Sequence, residues 1–175
     1  MSTPIGRPEP TEFAEYYRGY IGKVPGADVV AFLEQQLDDI TKLIARIDEA
    51  KGNFRYEAGK WSVKELIGHV VDTERVFAYR ALVFARNDRT ELPGFDQDPW
   101  AQHANYVDLK IADVAAQFKS VRQATIDLFK YMDASAWSRQ GIANRNPMSA
   151  RAAAFIIAGH AAHHVEILKA RYLSK

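Results

Sequence analysis

Apolar residues recur along most of the chain at alternating steps of three and four positions, which is the period of an amphipathic helix. Between Val29 and Ala50 this stripe consists of Leu33, Leu37, Ile40, Ile44 and Ile47. Lys51-Gly52-Asn53 follows it, and glycine and asparagine are common just beyond helix ends. The pattern therefore predicts a first helix over residues 29–50.

A second helix is predicted from Ser62 to about Arg86. Ser62-Val63-Lys64-Glu65 has the spacing of a capping box, in which a serine and a glutamate satisfy each other's backbone N–H groups at a helix start. The apolar stripe that follows consists of Leu66, Val70, Phe77 and Ala81. Both signals indicate the same boundary.

Two further helices are predicted, one after Asp108 and one after Ser149, and both residues are of a type that caps helices. The third helix has the clearest stripe, formed by Ile111, Val114, Phe118, Val121, Thr125, Leu128 and Met132. The fourth reaches Tyr172. Residues 87–107 and 133–148 break the pattern, and the first of these loops is long enough to be functional or a lid. Signals for β-strands are weak throughout.

These elements predict an all-α fold. Residues 1–27 hold four of the seven prolines and are expected to form an N-terminal arm with one helical turn near residues 12–20. Residues 28–175 then form a four-helix bundle. The long second connection indicates an element order other than simple up-and-down packing.

Composition narrows the classes of function. With 175 residues and 47% apolar content, the chain fits one domain, and its net charge of +1 gives no basic excess for nucleic acid or an anionic membrane. The absence of cysteine excludes disulfides, a protein thiolate and any cysteine-containing zinc site. The start of the chain has no signal-peptide pattern, and no stretch reaches transmembrane length. We therefore expect a cytoplasmic protein without nucleic-acid or membrane partners.

Histidines are the candidate metal ligands. His69 lies near the edge of the second helix's stripe, and the last helix carries His160, His163 and His164. On a helical wheel either His163 or His164 can join His160 on the inward face, and the spacing does not choose between them. A third histidine from a facing helix would complete an open three-nitrogen site. The alternative is that these are ordinary polar residues at a helix edge.

Two segments, taken together, resemble the DinB/YfiT-like superfamily: Trp61-Ser62-Val63-Lys64-Glu65-Leu66-Ile67-Gly68-His69-Val70-Val71-Asp72, and Gly159-His160-Ala161-Ala162-His163-His164-Val165-Glu166-Ile167. The loop ending Asp96-Gln97-Asp98-Pro99-Trp100 and the opening Pro4-Ile5-Gly6 are similar to the YfiT branch. The resemblance extends from Tyr56 to the C-terminus.

The resemblance implies a four-helix bundle that binds one divalent metal ion, zinc or nickel, through His69, His160 and His164. His163 then has a neighbouring role. Family members of known chemistry include thiol-dependent transferases and a maleylpyruvate isomerase, and many others are described only as metal-dependent hydrolases. The expected function is hydrolysis of a small-molecule substrate by an activated water. The alternatives are a transferase using a low-molecular-weight thiol, and a non-catalytic metal protein whose site is closed by His163 or Asp72 as fourth ligand.

Other polar residues have weaker claims. Asp72, at i+3 from His69, is the candidate to orient an imidazole or accept a proton, although it can equally be a solvated surface carboxylate. The remaining candidates, each of which can also have an ordinary structural role, are Glu74 and Glu166 as acids or bases, Trp61 and Trp100 at the mouth of the site, Arg80 and Arg86 for an anionic substrate, and Asp96 and Asp98 in a closing loop. His103 is expected to be exposed. A homodimer formed through helix faces is also expected.

Overall fold

The computed structural model describes residues 5–174, so Pro4 of the opening motif and Lys175 of the expected bundle lie outside the described residues. Within this part of the chain the α-helices are α1 (Arg18–Ile21), α2 (Val29–Ile44), α3 (Glu49–Gly52), α4 (Val63–Ala85), α5 (Gln97–His103), α6 (Ile111–Lys130) and α7 (Ala150–Ile167). Short 3-10 helices cover Pro10–Glu12, Glu15–Tyr17, Tyr106–Asp108 and Ala134–Ala136, and a π-helical turn, Leu168–Tyr172, extends α7. No described helix is both long and apolar enough to cross a lipid bilayer.

The four long helices form a bundle that is not simply up-and-down. Their main contacts run around the bundle in the order α2, α6, α4, α7. Helices consecutive in the chain, α2 with α4 and α6 with α7, therefore lie mainly across the bundle from each other. The all-α prediction and the expected departure from simple packing are both confirmed.

Local capping signals fix the starts of α4 and α7. The Ser62 hydroxyl accepts from the Glu65 N–H at 3.2 Å, and the Glu65 carboxylate accepts from the Ser62 N–H at 2.7 Å. The Ser149 hydroxyl accepts from the Ala152 N–H at 2.9 Å. These two predicted helix starts are confirmed, because each depends on residues three positions apart.

Two other predicted boundaries are wrong. The helix predicted over residues 29–50 ends at Ile44, and Asp48 starts the separate α3 by accepting from the Lys51 N–H at 2.7 Å. Asp108 does not cap the third helix, since it lies in the 3-10 helix that precedes it. The first N–H of α6, on Ile111, instead donates to Glu49 of α3 at 2.8 Å. This partner is 62 residues away in the chain and has no local signal.

A small hairpin interrupts the second predicted loop. β1 (Gln140–Ala143) pairs antiparallel with β2 (Asn146–Ser149) through a two-residue turn in which Asn144 and Arg145 have φ of 51° and 64°. The hairpin also holds Leu92, whose N–H donates to the Ile142 carbonyl at 2.9 Å. The weak β signals did not predict it, because four-residue strands are too short to show alternation.

A buried polar network lies between the long helices. Arg122 of α6 donates to both carboxylate oxygens of Glu74 of α4, at 2.8 and 3.1 Å from Nε, and to the Gln36 side chain of α2 at 2.9 Å. Gln36 in turn donates to the Ala158 carbonyl of α7 at 2.9 Å. All four helices are therefore joined by hydrogen bonds inside an otherwise apolar core.

The N-terminal segment packs on α7. Gly159 permits this, because a Cβ at that position would lie 1.9 Å from the Tyr20 carbonyl oxygen. Arg7 secures the segment by donating to the carbonyls of Ile21, Val24 and Gly26. Tyr20 is thereby held over the middle of α7, where the histidines lie. The boundary between arm and bundle at residues 27 and 28 stays a prediction.

Candidate metal centre

Three imidazole rings converge between α4 and α7. The Nε2 atom of His69 lies 3.0 Å from that of His160, which lies 3.1 Å from the Nε2 atom of His164. All three ligand atoms are within 4.8 Å of one another. His69 and His160 are buried and His164 is partly buried.

Burial keeps these imidazoles neutral. It lowers the pKa of His69 to about 4, although the carboxylates of Asp72 and Asp98 act in the opposite direction. Burial, reinforced by the neighbouring histidines, lowers the pKa of His164 to about 3 and holds that of His160 well below its ordinary value. A neutral imidazole offers one nitrogen lone pair, which is the form that binds metals. The cluster is therefore in its ligating form at neutral pH.

Two neighbours set the orientation of His69. The Thr73 hydroxyl oxygen, one helical turn further along α4, lies 3.5 Å from Nδ1. This partner favours the tautomer in which Nδ1–H donates to Thr73 and the Nε2 lone pair faces the other histidines. The Trp61 ring packs against the His69 ring with 4.7 Å between ring centres. His164 differs, because its buried Nδ1 has no hydrogen-bond partner in residues 5–174.

His163 and Asp72 lie outside the cluster formed in the described part of the chain. The His163 ring contacts the Tyr20 ring, with 5.3 Å between centres, and burial together with the nearby charge of Lys23 lowers its pKa. The Asp72 carboxylate accepts from the Tyr106 hydroxyl at 2.9 Å and from Arg75 at 2.8 Å. Neither residue is positioned as a fourth ligand.

Four other candidate residues are either paired with another side chain or exposed. Glu74 belongs to the buried network with Arg122, and Glu166 pairs with Lys23 at 2.5 Å. Arg86 is exposed at the end of α4. His103 is exposed, as expected. None of these four side chains reaches the histidine cluster.

The loop residues lie nearer to the cluster. Asp96 caps α5, because its carboxylate accepts from the Asp98 N–H at 3.2 Å. Trp100 is 46% exposed, and its ring packs against Phe95 with 4.9 Å between centres. Gly68 lets the loop approach α4, since a Cβ there would lie 2.3 Å from the Tyr106 ring. Residues 95–106 therefore form a layer beside His69.

A cavity of about 510 Å³ reaches the histidines. Its lining has aromatic, amide and imidazole groups: Ala14, Tyr16, Tyr17, Tyr20, His69, Thr73, Phe77, Phe95, Asp96, Gln97, Asn144, Asn146, Ile156 and His160. Its volume is in the range of small-molecule sites. A ligand in this cavity would meet two of the three clustered histidines directly.

The cluster has the donor chemistry that a divalent ion requires. Zinc bonds to imidazole of about 2.0–2.1 Å place tetrahedral ligand nitrogens about 3.3 Å apart, close to the Nε2 spacings here. Neutral Nε2 atoms at 3.0 and 3.1 Å also need a proton or a cation between them, because their lone pairs otherwise repel. The residues therefore fit a three-histidine metal site.

The fold and the site together show which class of protein this is: a four-helix bundle with a three-histidine cluster at the end of a ligand-sized cavity. The chain belongs to the DinB superfamily, whose family model matches residues 33–168. No curated protein matches it in sequence.

Two solved structures share the fold. YfiT from Bacillus subtilis, described as a probable metal-dependent hydrolase with an unusual four-helix bundle topology, aligns with a TM-score of 0.69 and 15% identity over 95% of this chain and 94% of its own. A mycothiol-dependent maleylpyruvate isomerase aligns with a TM-score of 0.66 and 11% identity over 83% of this chain and 61% of its own. At these identities the likeness concerns the fold.

Sequence reasoning missed three parts of the site. The position of Thr73 can be predicted from the sequence, because Thr73 follows His69 by four residues and therefore lies on the same helix face. Tyr20 had none, since its position depends on the contact between the N-terminal segment and Gly159. The amides of Asn144 and Asn146 reach the cavity only through the unpredicted hairpin.

Proposed function

We propose that this protein is a metal-dependent hydrolase in which His69, His160 and His164 hold one divalent ion, zinc or nickel. The observation that carries the proposal is the convergence of the three Nε2 atoms at the end of the 510 Å³ cavity. A structural zinc site is normally closed by a fourth protein ligand. The described residues offer no fourth histidine or carboxylate in the cluster, which favours catalysis over a purely structural ion.

When bound, such an ion lowers the pKa of a coordinated water or thiol and polarises a substrate oxygen. The protein's own groups would bind and orient the substrate. The aromatic walls exclude water, and the side-chain amides of Gln97, Asn144 and Asn146 can donate to or accept from a polar substrate.

The contacts of Asp72 favour a positioning role. Its carboxylate accepts from the Tyr106 hydroxyl and pairs with Arg75, while the Thr73 hydroxyl lies 3.5 Å from Nδ1 of His69. The assignment of Asp72 as a proton acceptor stays a prediction. Asp72→Asn tests it against Tyr106→Phe, which removes the Tyr106 contact but keeps the carboxylate: loss of turnover in Asp72→Asn alone, at unchanged metal content, supports proton transfer, and unchanged turnover in Asp72→Asn or equal losses in both variants contradict it.

A thiol transferase is the second candidate function. It is favoured by the fold shared with a mycothiol-dependent isomerase, and by the absence of cysteine, which means that any thiolate must come from a cosubstrate. We further propose a homodimer located in the cytoplasm, without nucleic-acid or membrane partners.

The test is a screen of esters, amides and phosphoesters, run with and without an added low-molecular-weight thiol. We expect hydrolysis that is lost after chelation, restored by zinc or nickel, absent in His160→Ala and retained in His163→Ala. Turnover that requires the thiol would instead support the transferase. Turnover in chelated protein and in His160→Ala would contradict both proposals.

A further inference from the structure

A second cavity, of about 370 Å³, shares Phe95 with the cavity that reaches the histidines. One side of it is a face of α4 that follows the helical period: Asp72, Arg75, Val76, Tyr79 and Arg80. The other side consists of residues 92–95 and Trp100. None of these lining residues is a histidine, so the second cavity is separate from the proposed metal centre.

Most of the wall of the second cavity is apolar. Val76, Leu92 and Pro93 contribute aliphatic surface, and Tyr79 and Trp100 contribute aromatic rings that are 57% and 46% exposed. A space of this volume, with apolar and aromatic walls and a few polar groups, is typical of small-molecule sites. The wall therefore suits the apolar body of a small ligand.

Arg80 places a buried cation at this wall. It is 2% exposed, and its Nη2 donates to the Pro93 carbonyl at 2.8 Å. Its guanidinium carbon lies 5.9 Å from the ring centre of Phe95. Pro93 and Phe95 both line the second cavity, as Arg80 itself does. The charged end of the side chain, and not only its stem, therefore lies at the cavity wall.

The charge of Arg80 has no carboxylate beside it. Of the two arginines that are buried in residues 5–174, Arg122 pairs with Glu74, whereas Arg80 forms no ion pair. Arg75, the other cation of the lining, pairs with Asp72 at 2.8 Å. An unpaired charge away from water is costly, and an arginine stays protonated at neutral pH. The lining therefore carries one net positive charge, which is that of Arg80.

We propose that this second cavity binds a small organic carboxylate, whose charged group pairs with Arg80 and whose apolar body lies against Tyr79 and Trp100. The planar guanidinium matches the geometry of a carboxylate, and the charge-assisted hydrogen bonds between them are stronger than neutral ones. The ligand would supply the counter-charge that no described carboxylate supplies, and it would cover the two exposed rings. This second site goes beyond the proposed function, because it needs neither a metal ion nor hydrolysis.

The three tryptophans of the chain allow the bound ligand to be located. Trp100 lines the second cavity, Trp61 packs against His69, and Trp137 stacks on Phe129 in the core. The full chain is labelled with fluorotryptophan, and each fluorine NMR signal is assigned by replacing one tryptophan with phenylalanine. The Trp100 signal then reports on the second cavity and the Trp61 signal on the metal centre.

The experiment titrates this protein with two probes of the same shape, phenylacetate and phenylacetamide, in the presence of a chelator so that no metal ion competes for the carboxylate. We expect the acid to shift the Trp100 signal and to bind there about tenfold more tightly than the amide, as one charge-assisted hydrogen bond would give. Equal affinities at the Trp100 signal, or no response of that signal to the acid, would overturn the proposal.

Variants of two lining residues test the role of charge. Arg80→Met should lower the affinity for the acid to that of the amide. Tyr79→Glu and Tyr79→Gln change an exposed side chain, so they decide the matter should the Arg80 variant fail to fold. The acid should bind about tenfold more weakly to Tyr79→Glu than to Tyr79→Gln, because only the first adds a carboxylate to the lining, and the amide should bind both equally.

An acid preference that survives in Arg80→Met, or equal affinities for the acid in Tyr79→Glu and Tyr79→Gln, would overturn the proposal. Because the titration needs neither metal nor turnover, its failure is distinguishable from failure of the hydrolase proposal.

Discussion

Replacing Glu12 with glutamine removes a buried negative charge that ties the N-terminal segment to the start of α7. The Glu12 carboxylate accepts from the Ser149 hydroxyl at 2.6 Å, from Arg151 Nε at 3.1 Å and from a second Arg151 nitrogen. The same Ser149 hydroxyl caps α7. The substitution keeps the shape of the side chain and leaves Arg151 without its counter-charge.

The size of the effect follows from the burial of the two partners. Breaking a fully buried ion pair costs about 3–5 kcal/mol. The Arg151 side chain is 18% exposed and also donates to the Ile5 carbonyl, so water and this bond compensate for part of the loss. We therefore expect the free energy of unfolding to fall by about 2 kcal/mol. In a chain of this length that corresponds to a fall in Tm of about 4–8 °C.

The effect should depend on pH. Burial raises the pKa of Glu12, but hydrogen bonds from Arg151 and Ser149 outweigh it and hold the pKa below the ordinary value of 4.5. A depressed pKa means that the carboxylate stabilises the fold fully above pH 4.5 and loses this effect as the pH falls through the folded-state pKa. The difference between wild type and Glu12→Gln should be constant near neutral pH and narrow below pH 4.5.

The assay is urea unfolding followed by circular dichroism between pH 3 and pH 8, with Glu15→Gln as the matched control on the same segment. Glu15 pairs with Arg18 on the surface, so its substitution should change stability much less. A Glu12→Gln protein as stable as Glu15→Gln at pH 7, or a difference that does not narrow in acid, would show that the Glu12 carboxylate does not stabilise the start of α7.

Two further predictions concern the metal centre. Thr73→Val should lower zinc affinity about tenfold or more, because His69 loses the partner that orients its ring, whereas Thr73→Ser should bind zinc like wild type. Competition with a chromophoric chelator measures the zinc affinity of each variant. Equal affinities in the Val and Ser variants would exclude a role of the Thr73 hydroxyl in orienting His69. Gly159→Ala should displace the segment around Tyr20, which limited proteolysis would detect as faster cleavage before α2; an unchanged cleavage rate would contradict the close contact seen at this glycine.

Features set by neighbouring residues could be predicted from the sequence. The helix starts at Ser62 and Ser149 follow from hydrogen bonds across three positions, and the bundle follows from the helical period. Features set by distant residues could not. The start of α6 depends on Glu49, and the cavity depends on a hairpin of two short strands.

The candidate site also combines features set by neighbouring residues with features set by distant ones. On a helical wheel His163 and His164 are equal partners for His160, and the family resemblance indicates His164. The structure supplies a physical reason for the difference: His163 faces the Tyr20 ring, while His164 lies beside both His160 and His69. That reason comes from packing between separate segments, which a single helix does not contain.

In the proposed metal centre, His69, His160 and His164 together hold one ion. The most direct measurement is the metal content of protein stripped with a chelator, reloaded with zinc, desalted and analysed by inductively coupled plasma mass spectrometry. We expect one ion per chain in wild type and in His163→Ala, and none in His160→Ala or His164→Ala. Zinc retained in His164→Ala and lost in His163→Ala would contradict it.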